Sequence, residues 1–431
     1  MPVILANATL VVLAPPIVRR GDILVDGARI AKIGRSLSAP GALIVDCSGK
    51  TVMPGNVCAH THLYSALARG MPAPSRPPRN FRDILELIWW PLDRSLDESA
   101  IHHSALVGAI DALRCGTTTL VDHHASPTAI DGSLDIIADA LQMVGMRGLV
   151  CYEVTDRGGV EQSRAGVREN ARFLRDNRRP LIRGMVGAHA SFTLEDSTLE
   201  LLASLAAETR TGVHIHLAED LYDEQDSVRR CGMRTGVRLL KAGVLTEHGI
   251  AAHGVHLNES ELVELRQQRT WLVHNCRSNM NNSVGRAPVA SFGDRAALGT
   301  DGIDGDMFGE SRTAFFRARE SDLAVSAEMP AAMLSGGGTL ISEHFQDRVG
   351  VIEQGAVADL VVLDYDPPTP LDADNVAWHW MFGMSAQQVE SVMVAGEWAM
   401  KDRRLCRVDE EEVRARARVE ATRLWTRMET T

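Results

Sequence analysis

Short aliphatic and β-branched runs, interrupted by glycine, open the chain. Residues 3–13, 22–26, 29–33 and 43–46 read as strands joined by turns. The same texture returns near the other end, where residues 358–364, 389–394 and 398–400 read as strands, the last two around a turn at Gly396. Strands at both ends with a different pattern between them point to one small β-domain built from the two termini. In the middle, helix-period stretches alternate with short apolar runs. Helices are expected over 101–115, 134–144, 161–177, 199–211, 235–242 and 259–268. Strands are expected over 117–122, 147–153, 182–189, 212–217, 249–253, 270–274 and 295–298. Repeated strand-then-helix units argue for a parallel sheet, and eight of them close a (β/α)8 TIM barrel. The expected organisation is 1–57 plus 349–405 as the composite β-domain, 58–348 as the barrel and 406–431 as a C-terminal helix.

Length agrees with this, since 431 residues can fill a barrel and a small companion domain. With 45% hydrophobic and 23% charged residues, the composition is that of a globular protein. No run of about eighteen apolar residues marks a membrane span. The apolar N-terminus lacks a basic flank and a cleavage site, and reads as a first strand instead of a signal peptide. A formal charge of −11 argues against nucleic acid as a partner. Seven scattered cysteines without a Cys-x-x-Cys pair fit reduced thiols and a cytoplasmic location.

The chemistry gathers where strands should end. In Met53-Pro54-Gly55-Asn56-Val57-Cys58-Ala59-His60-Thr61-His62 the His-x-His spacing aims two imidazoles at one point, because side chains two apart on a strand share a face. His123 and His124, Glu153, His189, His216 and Glu219, His253, His274 and Asp301 fall at the ends of the following strands. One such histidine is more often structural; polar endings on nearly every strand are not. His214 and His216 repeat the first pair's spacing, so either fits as a third ligand; His216 is favoured because Glu219 follows at the loop. A carboxylate there can take a proton from activated water and give it to a leaving amine. Asp301 is a suitable last ligand, its alternative being a turn residue in Thr-Asp-Gly. His253 either completes a four-histidine set or, as preferred here, polarises the attacking water. His102, His103, His248, His256 and His344 read as structural. Trp89 and Trp90 line a pocket or fill core.

Taken together, these residues resemble the amidohydrolase superfamily. The stretches that carry the likeness are Pro54-Gly55 through His62, His216-Leu217-Ala218-Glu219, Ala252-His253-Gly254-Val255-His256, His274-Asn275-Cys276-Arg277-Ser278-Asn279 and Leu298-Gly299-Thr300-Asp301-Gly302. The chain resembles the branch with cytosine, guanine and S-adenosylhomocysteine deaminases and triazine hydrolases, and most of all the SsnA-type aminohydrolases. The resemblance implies a (β/α)8 barrel beside a β-sandwich made from both termini. It implies one divalent cation, zinc first and iron as the alternative, on His60, His62, His216 and Asp301. It implies Glu219 as proton shuttle, His253 as the group orienting water and His189 facing the substrate; Asp301 serves the catalytic set as well. Binuclear relatives carry a bridging lysine after the fourth strand, where this chain reads Gly187-Ala188-His189, so one metal is expected. Cys276 stands where the family usually has proline.

The reaction expected is hydrolytic deamination of an amino-substituted N-heterocycle such as a purine or pteridine. Chlorohydrolysis or cyclic-amide opening would use the same site; a non-catalytic scaffold is a weaker alternative, since every ligand is kept. Arg69, Trp89, Asp93, His123, His124, Glu153, Arg157, Arg277 and Asp304 are candidates for substrate contact. The partner is a small molecule, with neither nucleic acid nor membrane, and the resemblance implies a homo-oligomer, dimeric or larger.

Overall fold

The computed structural model describes residues 1–429; Thr430 and Thr431, at the end of the expected C-terminal helix, lie outside the described residues. Eight parallel strands form the barrel: Asn56–Thr61, Thr117–His124, Arg147–Val154, Val186–Ala190, Val213–Leu217, Ile250–His253, Trp271–His274 and Ala296–Leu298. Each pairs with the next, and the eighth returns to the first through Thr300 and Asp301, whose amides donate to His60 O at 2.9 and 3.0 Å. The ring is thus closed by the residues that carry the first and last candidate ligands. The expected strand over 182–189 is divided into Ile182–Gly184 and Val186–Ala190, with Met185 between them donating its amide to Val150 O.

The two termini build one nine-stranded, mostly antiparallel sheet. Val3–Leu13 lies inside it, between Pro16–Asp26 and Thr51–Pro54, and Leu360–Leu363 joins on the far side of Thr51–Pro54. The sheet curls over an aliphatic core that includes Leu5, Leu10, Ile23, Ile30, Val52 and Leu360. Ile30 N donates to Ala356 O (2.9 Å), which brings the edge strand Arg29–Gly34 back against the segment before Leu360.

All six expected barrel helices form close to their expected bounds: Glu98–Arg114, Ser133–Val144, Val160–Asp176, Asp196–Thr209, Thr235–Lys241 and Glu259–Gln268. Asp97 caps the first of them by accepting from Ala100 N (2.9 Å), satisfying an amide that the helix itself leaves free. Leu221–Cys231, Met307–Arg319 and Glu328–Phe345 have no counterpart among the expected helices. The last carries Gly336-Gly337-Gly338, a poor helix sequence by propensity. Tertiary contact overrides propensity there, since a Cβ at Gly336 would stand 2.1 Å from Ala296 O, on the eighth barrel strand. The helix Glu410–Met428 lies against Glu98–Arg114, with Arg414 bonded to Asp111 (2.8 Å). Among the described residues no helix is long and apolar enough to cross a membrane.

Candidate active site

At the C-terminal ends of the barrel strands, four side chains converge on one point. His62 Nε2 lies 2.9 Å from Asp301 Oδ1 and 3.2 Å from His216 Nε2, and His60 Nε2 lies 3.4 Å from the same carboxylate oxygen. The outer ring nitrogens are committed elsewhere. His62 Nδ1 donates to His123 O (2.6 Å) and His216 Nδ1 to His189 O (3.0 Å). A carbonyl only accepts, so each Nδ1 holds the proton and each Nε2 turns a lone pair inward. His60 Nδ1 pairs with His214 Nε2 at 2.8 Å, and His60 Nε2 is buried without a hydrogen-bond partner. Three imidazoles with Nε2 turned inward and a carboxylate are a donor set for a divalent cation of the zinc or iron type. The same geometry places His214 behind His60, one turn of the hydrogen-bond chain away from the convergence point.

Backbone strain accompanies this arrangement. Ala218, His253 and Asp301 have φ of 47, 77 and 55°, the left-handed region that non-glycine residues seldom occupy. Surrounding bonds hold them: His256 N donates to Ala218 O (3.0 Å), and His62 N to Asp301 O (3.2 Å). The turn at Ala218 brings Glu219 over the convergence point. Glu219 Oε2 lies 3.6 Å from His253 Nε2, and Asn282 Nδ2 donates to its other oxygen at 3.4 Å. Burial, together with the nearby Asp301 charge, raises the Glu219 pKa well above the usual carboxylate range. Burial works against ionised Asp301 as well, but the His60 and His62 imidazoles beside its carboxylate outweigh that and hold its pKa well below the ordinary value. Two carboxylates side by side are therefore driven apart, one towards holding a proton and one towards losing it. His253 Nδ1 donates to Asn279 Oδ1 (2.8 Å), and Ser278 Oγ donates to Asp301 Oδ2.

Residues 51–399 match the Amidohydrolase family. The chain belongs to that family. This amidohydrolase is 30% identical over 445 residues to a 5-methylthioadenosine/S-adenosylhomocysteine deaminase of Pelotomaculum thermopropionicum, covering 98% of each chain. It is 29% identical over 438 residues to a 5'-deoxyadenosine deaminase of Methanothermobacter thermautotrophicus, covering 97% of this chain and 99% of the relative. An adenosine deaminase of Xanthomonas campestris with bound zinc superposes with a TM-score of 0.87 at 26% identity, over 98% of both chains. The zinc-containing atrazine chlorohydrolase of Arthrobacter aurescens, with a TM-score of 0.84 at 21% identity, shares the fold.

Among the expected contact residues, the amidohydrolase cleft brings together Trp89, Asp93, Glu153 and His189. Glu153 sits between two imidazoles, 3.2 Å from His123 Nδ1 and 3.6 Å from His189 Nε2. Burial opposes its charge, but the His189 and His123 rings hold its pKa far down. Burial raises Asp93 to about 6 against the pull of Arg157, which donates to Asp93 Oδ2 at 2.6 Å. Arg157 is thereby turned onto Asp93 and the Trp90 ring, 4.8 Å from its centroid. His123 stands behind His62 and His216, and His124 Nε2 pairs with Ser126 Oγ (2.9 Å). Three expected contacts, Arg69, Asp304 and Arg277, are placed elsewhere. Arg69 follows the 3-10 turn Leu63–Ala68, which carries it outward to pair with Asp111 (2.8 Å). Asp304 pairs with Arg277 (2.8 Å), and both Arg69 and Asp304 line a neighbouring cavity of about 690 Å³. Trp89 and Asn282 line both spaces.

Tyr64, Phe81, Leu85, Phe192, Asp220, Asp223 and Asn282 also line the cleft and were not singled out by the sequence reading. Phe81, Leu85 and Trp89 come from a segment containing a π-helical stretch, Leu85–Trp89, whose wider turn breaks the ordinary helical period. Trp89 reaches the cleft wall because Gly302 has no Cβ, which would stand 2.7 Å from the indole. Ser278 and Asn279 were visible as part of a motif, but their roles, holding Asp301 and His253, needed the third dimension.

Proposed function

We propose that this amidohydrolase is a metal-dependent hydrolytic deaminase, releasing ammonia from an amino-substituted, purine-like N-heterocycle. The observation that carries the reading is Glu219, beside His253 and over the convergence of His60, His62, His216 and Asp301. The names of the relatives, deaminases of adenosine-type compounds, support the ring class. His60, His62, His216 and Asp301 would hold one divalent cation, zinc in keeping with the zinc-bearing adenosine deaminase. A cation there supplies Lewis-acid activation of water.

The protein's own groups then have distinct tasks. His253, its Nδ1–H committed to Asn279, presents Nε2 to the water and fixes its direction of approach. Glu219 takes a proton from that water and delivers it to the ring nitrogen beside the amine-bearing carbon. The water oxygen bonds to that carbon; the C–N bond to the exocyclic amine then breaks, and Glu219 passes the second proton to the departing ammonia. Asp301 keeps one oxygen on Ser278 and the other on the convergence point. His189 and Glu153 face the ring from the opposite wall, and Trp89 covers it. The proposal places the enzyme in the cytoplasm, where its seven free thiols stay reduced, as a dimer or larger assembly acting on a small molecule.

The test is ammonia release by zinc-loaded protein on aminopurines and adenosine-type nucleosides, with Glu219→Gln beside it. Ammonia should form one-for-one with the oxo product, and the variant should lose at least about 100-fold in kcat with its metal content unchanged. Turnover that survives in Glu219→Gln overturns the reading, and chloride or a ring-opened acid as product would assign the site to another hydrolysis.

A further inference from the structure

The charge around the cleft bears on which ring substituents it admits. Asp93, Glu153, Glu219, Asp220, Asp223 and Asp301 line it, and no lysine or arginine does among the described residues. The adjacent guanidinium, Arg157, is already bound to Asp93 at 2.6 Å and stacked over Trp90. Guanidinium groups beyond the aromatic rim are held the same way: Arg82 by Glu86 at 2.6 Å, Arg230 by Glu195 at 2.8 Å. With a divalent cation bound and protons on Glu219 and on Asp223, whose pKa burial pushes well up, Asp93, Glu153, Asp220 and Asp301 still exceed the cation and Arg157 by one charge. Two carboxylate oxygens are left open: Asp93 Oδ1 and Asp223 Oδ1 are buried with no hydrogen-bond partner, each on a residue only 2% exposed. An open acceptor suits a ligand that brings a hydrogen-bond donor and repels one that brings only lone pairs.

We propose that the cleft selects rings whose substituent is neutral overall or cationic and rejects those whose substituent carries a phosphate or another net negative charge. This rests on the deaminase reading and divides the adenosine-type compounds within it. At ~6 Å and an effective dielectric of ~20, one uncompensated carboxylate disfavours a monoanion by roughly 100-fold. The repulsion is little screened inside the cleft, so it acts on the bound substrate as well as on the encounter.

The experiment is a charge series on one ring and sugar, with zinc-loaded full-length protein: 5'-methylthioadenosine (neutral), 5'-amino-5'-deoxyadenosine (cationic) and adenosine 5'-monophosphate (anionic). The kcat/KM of the monophosphate should fall at least ~100-fold below that of the methylthio compound, with the amine equal to it or better. Asp220→Asn should narrow the gap several-fold. A monophosphate turned over within tenfold of the methylthio compound overturns the inference, as does an amine rejected as strongly as the phosphate. Binding is read in parallel from quenching of tryptophan emission. If no compound is deaminated, the proposed reaction fails, while tighter binding of the amine than of the monophosphate still upholds the charge selection and equal binding overturns it.

Discussion

At the N-terminal end of the barrel strands, Arg147 donates to both oxygens of Asp359 at 2.9 and 3.1 Å, tying the barrel to the terminal sheet. Asp359 also accepts from Ala395 N (2.6 Å). Nearby, Arg295 donates to both oxygens of Glu343 at 2.7 and 2.6 Å, and Trp271 Nε1 donates to the same carboxylate (3.0 Å). At the C-terminal end, buried atoms are left without partners: His60 Nε2, Asp93 Oδ1, Asp122 Oδ2 and His253 Nε2. An unpaired buried polar atom costs stability, and a ligand arriving at this end would meet several of them at once. One end of the barrel therefore uses charge to hold the structure, and the other holds charge in readiness for chemistry.

Changes at the two ends should fail differently. Chelating the proposed cation should abolish turnover, at least roughly 1,000-fold, and lower the thermal midpoint modestly, because it strips the groups that lack protein partners. Activity regained on adding zinc, followed alongside metal content, checks this; chelator-resistant turnover would erase the contrast. Arg147→Ala should do the reverse. It strands Asp359 as a buried charge and should cost about 3–5 kcal/mol in urea unfolding, with kcat/KM of the folded fraction close to wild type.

A smaller effect concerns pH. Burial lowers the His274 pKa from 6.5 to about 3. The unfolded chain therefore takes up a proton that the folded one refuses. This contribution is fully present above about pH 6.5 and is lost as pH falls towards 3, on the order of 2 kcal/mol by pH 5. Urea midpoints at pH 7.5 and pH 5 should differ less in His274→Gln than in wild type; equal slopes would remove His274 from the account. The smallest effect expected is that of Cys276→Pro. Cys276 opens the short helix Cys276–Asn281, a position where proline is well tolerated. Here, however, the amides of Cys276 and Arg277 both bear on the buried Glu310 carboxylate, and proline would withdraw one of them. A loss of about 1 kcal/mol with unchanged turnover is expected, read by thermal unfolding.

Much of the site was legible because its signals are local. His60 and His62 share a strand face by the period of two, and Glu219, His253 and Asp301 each follow an apolar run that ends at a turn. The missed helices were less legible for physical reasons: Glu328–Phe345 is stabilised by glycines that let it touch the eighth strand, and Leu85–Trp89 winds with the wrong period.

By itself, the sequence determined that this chain alternates strands and helices, that its ends share a sheet and that ligand-type side chains stand where strands stop. These follow from periodicity and residue chemistry over a few neighbours. Only the tertiary structure decided that Arg69 points away to Asp111, that Arg157 is taken up by Asp93, and that Glu153 lies between His123 and His189. Those outcomes depend on which distant segments the closed barrel brings together and on the left-handed turns at Ala218, His253 and Asp301, which no local pattern encodes.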